Sequence, residues 1–359
     1  MKTHSKKIRS LGLKSIITLL ILILTAFFSN CARSNAGEPE GWIAFLWSDE
    51  KPPRSGMDLI LSDGNGNTLR YVGYFTGSPS FSTDGKLLAV GCPPDPDTEI
   101  VTSLCILDIS SFISERLVIP FAQSFSKPSA IKSRIPLPER CQVYQSNKVD
   151  GTEGILSLSW SPSDDRLVIV CGNIAIQEVC ILSLGGESDC WEQSASNNIL
   201  RAVWSPADDN LLAISGQGYP TSEIYLVNTD GADRHYIAEG INPEWSPDGK
   251  HIAYVEYVLS PLTGNRSAGI ASVDLNGLDH QWLYLPDPEN PMSFIGLGGS
   301  AWPSRLAWSP DGNYITFSMV YGGLYNYEIG RLEISTGKVV FLVDDGIFDH
   351  IVVEPDWGP

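Results

Sequence analysis

Pro243-Glu244-Trp245-Ser246-Pro247-Asp248-Gly249-Lys250-His251-Ile252-Ala253-Tyr254 sets a tryptophan, a four-residue turn and an apolar run in a row. The turn chemistry is specific: Ser accepts backbone N–H groups, Pro presets φ at the second position, and Gly takes a left-handed fourth position. Antiparallel strands must flank it. Leu306 to Phe317 repeats the stretch around Trp308-Ser309-Pro310-Asp311-Gly312. Weaker copies begin at Phe81, Trp160 and Trp204, and half a copy ends the chain at Pro355-Asp356-Trp357-Gly358-Pro359. Where Gly is missing, Asp164 and Asp208 stand at its offset, and Asp is among the few residues that tolerate the left-handed conformation.

Beyond each turn the pattern reads apolar run, loop, apolar run, polar turn, apolar run. Asn228-Thr229-Asp230-Gly231 and Asp63-Gly64-Asn65-Gly66 are such polar turns, placed as hairpin signals. Four strands per unit, recurring at about 40 to 45 residues, predict an all-β chain folded as a β-propeller of four-stranded antiparallel blades. Gly41-Trp42-Ile43-Ala44-Phe45 matches Lys250 to Tyr254, so the chain joins its first unit on a second strand. The missing first strand is Glu354 to Trp357 at the far end. Pairing of the terminal strands would close the ring and remove open sheet edges. Counted this way the blades number six, spanning 41–359 after an export signal at 1–36, with an inserted loop at 121–154.

The Pro-x-Trp-Ser-Pro-Asp-Gly-Lys-x-Ile-Ala signature resembles the repeat of TolB-type six-bladed propellers, a WD-like extracytoplasmic family. The resemblance implies envelope protein interaction. Those proteins carry a further N-terminal α/β domain that is not expected here, so no particular partner transfers.

Lys2, Lys6, Lys7, Arg9 and Lys14 precede an apolar stretch from Ile16 to Phe28, the layout of a bacterial export signal. The stretch is too short for a comfortable membrane span. Cys31 just beyond it resembles a lipoprotein acceptor, while Ser34 and Ala36 suit ordinary cleavage after Ala36; both remain open, and a lipid or anchor at this end is the one membrane contact expected. Six further cysteines, Cys92, Cys105, Cys141, Cys171, Cys180 and Cys190, form an even set suited to disulfides in an oxidising compartment. Cys92 and Cys171 each stand eleven residues after their motif aromatic, and Cys105 and Cys180 each open a Cys-Ile-Leu run. This register predicts Cys92–Cys105 and Cys171–Cys180, leaving Cys141 with Cys190. Paired Cys-x-x-Cys spacing for zinc is absent.

The chain holds 24 basic and 42 acidic residues. Residues 1–36 contain six of the basic ones and no acid, so the remainder carries a net charge of −24. That balance opposes nucleic acid and anionic membrane surfaces as partners. It suits solubility first, and then cationic ligands or a basic protein face.

Turns joining first to second and third to fourth strands read as short, whereas the remaining connections are long and irregular. All the long ones emerge on one face, where a protein or peptide partner is expected. The 121–154 stretch carries Lys127, Lys132, Arg134, Arg140 and Lys148; it reads as a structural insert pinned by Cys141, or as part of a cover over the channel mouth. Three positions before each motif aromatic stand Ser78, Ser157, Arg201, Asn242, Arg305 and Glu354, a polar ring that could meet a ligand at the mouth or simply solvate the pore.

Catalytic signatures are wanting. Gly298-Gly299-Ser300-Ala301-Trp302 fails as a nucleophile elbow, and the five histidines lack metal-ligand spacing. No cofactor or metal is expected, and the chain is read as a monomeric, non-catalytic interaction or scaffold module. Two other classes stay open: a metal-dependent lyase or lactonase using Glu244, Glu354 and Asp356, and a carbohydrate binder using Tyr219, Trp302, Tyr321 and Tyr325.

Overall fold

The computed structural model describes residues 39–48, 57–95, 97, 100–114, 131–142, 154–172, 177–192, 198–217, 222–259, 266–285, 305–320, 327–342 and 351–359. From Pro39 onward the chain forms one compact unit. Its described part is almost entirely β, with one short helix, α1 (Ser110–Ser114), and a 3-10 turn at Glu139–Cys141. None of its helices is long and apolar enough to cross a membrane.

The motif turns form hairpins through a shared hydrogen-bond set. Ser82, Ser161, Ser246 and Ser309 each accept the N–H of the residue five positions on at their Oγ, at 2.9 to 3.1 Å. Where Asp stands two residues beyond the Ser, as in Asp84, Asp248 and Asp311, it takes the Ser hydroxyl and also the next-but-one backbone N–H. The fourth turn position is left-handed at Gly85 (φ 68°) and equally at Asp164 (φ 56°). Asp208 departs from the expectation: its φ is not positive, and Ser205 pairs with Leu211, six residues on, because this turn is one residue longer.

Four sheets have four strands each. They are β7 (Gly154–Trp160) to β10 (Ser188–Glu192), β11 (Asn198–Trp204) to β14 (His235–Glu239), β15 (Ile241–Trp245) to β18 (Gln281–Tyr284), and β19 (Leu306–Trp308) to β22 (Lys338–Phe341). Within each, sequential strands are neighbours, including β8 (Arg166–Gly172), β9 (Gln177–Ser183), β12 (Leu211–Gln217), β13 (Glu223–Asn228), β16 (His251–Leu259), β17 (Arg266–Asp274), β20 (Tyr314–Val320) and β21 (Tyr327–Glu333). The arrangement is propeller-like.

The other strands do not separate into two further sheets as expected. They form one seven-stranded sheet in the order β23 (Ile351–Gly358), β1 (Trp42–Ser48), β2 (Met57–Asp63), β3 (Leu69–Phe81), β4 (Leu87–Gly91), β5 (Ser103–Asp108) and β6 (Ile131–Pro136). The cause is β3, whose 13 residues run without a break from pairing with β2 up to Phe75 to pairing with β4 from Thr76. β6 is a second departure, since it is drawn from the stretch read as an inserted loop. It pairs with β5 as an edge strand with Lys132 and Arg134 exposed and Ile135 buried. Only Ile131 and Ile135 turn inward on it, too few to stand out in a hydrophobicity pattern.

The terminal strands pair as the repeat requires. β23 lies antiparallel to β1, with Trp42 opposite Gly358 and Ile43 opposite Trp357. Trp357 donates its indole N–H to Glu40 O at 2.9 Å and stacks on Tyr314.

Core clusters lie between neighbouring sheets, and one lies between the two halves of the seven-stranded sheet. On β8, Leu167, Ile169 and Cys171 pack toward the β4–β6 side, while Val168 and Val170 pack toward β11 and β12. Both faces are buried, which is why Arg166–Gly172 reads as a continuous apolar run instead of alternating. Motif tryptophans stitch neighbours together: Trp160 donates to Ser80 O at 2.9 Å and Trp245 to Val203 O at 3.2 Å, each acceptor one position before the preceding motif aromatic.

Candidate functional site

In a propeller the first strand of each blade borders the central channel. Here the first-to-second strand ladders slip at one common place: between Thr76 and Ser80, Ile155 and Ser157, Ile199 and Arg201, and Ile241 and Glu244. A bulge re-aims the side chains beside it. Asn242, with φ 55°, sits inside one of these irregularities. Four of the six polar ring positions read from the sequence, Ser78, Ser157, Arg201 and Asn242, therefore stand at bulged backbone, a feature no motif announced.

Of that ring, Ser78, Ser157, Arg201, Asn242 and Arg305 are all buried, none more than 3% exposed. Ser157 Oγ donates to Ala202 O at 3.0 Å and accepts Ala202 N–H at 3.2 Å, tying β7 to β11. Asn242 N–H donates to Ser215 Oγ at 3.2 Å. The side chain of Glu354 lies outside the described residues.

The two arginines define the electrostatics. Arg201 pairs through Nη2 with Glu244 Oε2, and Arg305 Nη2 donates to Asp356 Oδ1 at 3.0 Å. In both pairs the arginine stands three positions before its own motif tryptophan and the carboxylate one position before the next. The repeat thus builds one interblade ion pair twice. Arg305 also donates from Nη1 to Pro79 O, and Asp356 Oδ2 accepts Phe81 N–H at 2.7 Å, so the pair spans the clasp on both sides. Burial pushes the Glu244 carboxyl up, opposed by the charges of Arg201 and Arg305. Asp356 acts on Glu244 in the upward direction, which places both pairs within one electrostatic neighbourhood. Among the described residues, Arg305 Nε is buried with no hydrogen-bond partner.

Glu244 and Asp356, considered above as metal-binding carboxylates, are thus each held by an arginine, and no metal-type grouping among the described residues includes them. The aromatics Tyr219, Trp302, Tyr321 and Tyr325 lie outside the described residues, as do Cys31 and the export signal.

Three disulfides form: Cys92–Cys105, Cys141–Cys171 and Cys180–Cys190. The expected Cys171–Cys180 and Cys141–Cys190 pairs are replaced. Cys190 stands directly opposite Cys180 on the outer strand, with Cα atoms 4.0 Å apart, a placement the repeat register left undetermined. The 3-10 turn packs on β8 and delivers Cys141 to Cys171.

The fold is an all-β, propeller-like arrangement of four-stranded antiparallel sheets, and it matches that of TolB propellers. Among solved structures, TolB from Acinetobacter baumannii is similar at 14% identity and a TM-score of 0.63, over 98% of this chain and 74% of that one. A candidate TolB from Agrobacterium tumefaciens is similar at 14% identity and a TM-score of 0.50, over 90% and 100%. A chain of a nidogen/laminin complex is similar at 8% identity and 0.53, over 89% and 98%. At such identities the likeness is one of fold. No family model and no curated protein matches the chain.

Proposed function

We infer that this chain is an exported, non-catalytic propeller of the cell envelope that engages a protein or peptide on its long-connection face. The seven-stranded sheet reads as two blades fused through β3, which makes a six-bladed ring closed by the terminal strands. A monomer, exported by residues 1–36 and either tethered through Cys31 or released after Ala36, completes the reading.

The observation that carries it is the asymmetry of the connections. Five residues, 246–250, turn β15 into β16, while 285–305 lead from β18 to β19; the exception is 109–130 from β5 to β6, a long connection between a third and a fourth strand, where short turns were expected. Loops positioned by a rigid scaffold are where binding concentrates. The ion pairs at the inner strands fit the same reading, since Glu244 and Asp356 are each held by a buried arginine and serve blade packing.

The test is cross-linking and affinity capture from the native envelope with the full chain and with a variant whose 286–304 segment is replaced by a short Gly-Ser linker. Capture of a defined protein that the replacement abolishes, with the melting temperature preserved, is the expected result. Equal capture by both proteins would remove this segment from the binding surface. Glycan or uronate turnover by the purified chain would overturn the non-catalytic reading.

A further inference from the structure

Four of the cysteines converge on one place. The sulfurs of Cys141, Cys171 and Cys180 all lie within 4.8 Å of one another, and Cys141 Sγ is 3.9 Å from Cys180 Sγ. Cys180 is bonded to Cys190, which brings the Cys190 sulfur into the same cluster. Cys141, Cys171 and Cys180 are buried, whereas Cys190, on the outer strand β10, is exposed.

The protein supplies its own precedent for a different pairing. Cys105 stands opposite Val90, and its partner Cys92 lies two residues past Val90. Cys180 stands opposite Ile169, and Cys171 lies two residues past Ile169. Cys171 is therefore placed toward Cys180 as Cys92 is toward Cys105, where the bond forms.

We propose that the Cys180–Cys190 disulfide is a thiol-reactive exchange site, through which a small thiol converts the cluster between two pairings: Cys141–Cys171 with Cys180–Cys190, and Cys171–Cys180 with Cys141–Cys190. An external thiolate attacks Cys190 Sγ, forms a mixed disulfide there and releases the electron pair to Cys180 Sγ. The Cys180 thiolate attacks Cys171 Sγ and expels Cys141 as thiolate. Cys141 then attacks Cys190 Sγ and expels the external thiolate. Two disulfides are present at the start and at the end, and the thiol is regenerated, so no oxidant or reductant is consumed.

Glu178 stands beside the entering point, its carboxylate within 4.8 Å of the Cys180 and Cys190 sulfurs. A negative charge there raises the pKa of the departing Cys180 thiol, so the exchange calls for mildly alkaline conditions that keep it as thiolate. The consequence is mechanical. The 3-10 turn that carries Cys141 is anchored to the interior strand β8 in one pairing and to the edge strand β10 in the other.

The test uses the full chain with Cys31 alkylated beforehand. Non-reducing proteolysis and mass spectrometry are run before and after mildly alkaline incubation with substoichiometric reduced glutathione. Peptides joining Cys171 to Cys180 and Cys141 to Cys190 are expected to rise to within about tenfold of the original pair, a gap of about 1.4 kcal/mol. Cys92–Cys105 should stay constant as the internal reference. Persistence of the original pairs alone would overturn the proposal. Cys190→Ser gives a second measurement that needs no added thiol: it leaves Cys180 free beside the Cys141–Cys171 bond. Alkylatable Cys141 with a Cys171–Cys180 bond supports the exchange, and alkylation confined to Cys180 counts against it.

Discussion

Arg305 reaches across the blade boundary that the chain termini close and donates to Asp356 at 3.0 Å, with side chains only 3% and 15% exposed. Asp356 in turn accepts the Phe81 N–H at the end of β3, within the same seven-stranded sheet. One carboxylate therefore links three segments: the end of the chain, the strand after its closure and the blade before it. Asp356→Ala leaves Arg305 buried without its counter-ion. We expect a loss of about 3 kcal/mol, the lower end of the range for a broken buried pair because Asp356 keeps some water access. Arg305→Met with Asp356→Leu should recover most of it, since the desolvation of both charges is removed together. Urea denaturation of the two single variants and the double variant measures the coupling. Additive losses would show that the pair does not act as one.

The clasp itself is tested by Trp357→Ala. The indole stacks on Tyr314 and donates to Glu40 O, so the truncation removes packing and a hydrogen bond from the closure at once. A cost of about 3 to 5 kcal/mol is expected for a buried tryptophan. Gly85→Ala should destabilise as well, because φ is +68° and a Cβ would lie 2.6 Å from Pro359 O at the chain end. Native melting temperatures in both variants would mean that the terminal pairing contributes little.

Ser309 is fully buried, accepts Tyr314 N–H at 2.9 Å and donates to Asp311. Ser309→Ala leaves that N–H without its side-chain partner, and a loss of about 1 to 2 kcal/mol is expected. The equivalent change at Ser246, which is slightly more accessible, should cost no more. Denaturant midpoints of the two variants decide the order.

Acid should weaken the turns. Hydrogen bonds from Lys86 bring Asp84 down to about 2, and the Ser246 hydroxyl lowers Asp248. A carboxyl whose folded value lies below its unfolded value stabilises fully above about pH 4 and loses that contribution as pH falls toward its folded value. Glu244 runs the other way, since its folded value is raised and its ionised form costs the folded state at neutral pH. With several turn aspartates against one glutamate, the melting temperature is expected to fall between about pH 4 and pH 2. Asp84→Asn should flatten that fall, and a profile identical to the parent's would rule out Asp84 as a contributor.

The motif turns were legible because they rest on chemistry confined to six residues: a Ser hydroxyl, an Asp carboxylate and a left-handed fourth position. The closing strand was legible for a related reason, since the Gly41 and Glu354 stretches each match a different part of one repeat. The same local logic misread Asp208, where one extra residue lengthens the turn. β6 escaped because an edge strand buries few side chains and so leaves little pattern.

The candidate site was legible in residues and not in relations. Arg201 and Arg305 stood out as ring positions, and Glu244 and Asp356 as channel carboxylates, yet nothing in the chain order joined them. Their pairing depends on the rotation between neighbouring blades and on a ladder slip in the inner strands.

Sequence alone determined the repeat, the four-stranded unit and the terminal closure, because each follows from contacts between residues close in one repeat or from matching repeats to one another. Tertiary structure decided the fused seven-stranded sheet, the interblade ion pairs and the partners of Cys141, Cys171, Cys180 and Cys190. Those features lie between units or among sulfurs only ångströms apart, where register, bulges and packing choose the partner and residue type does not.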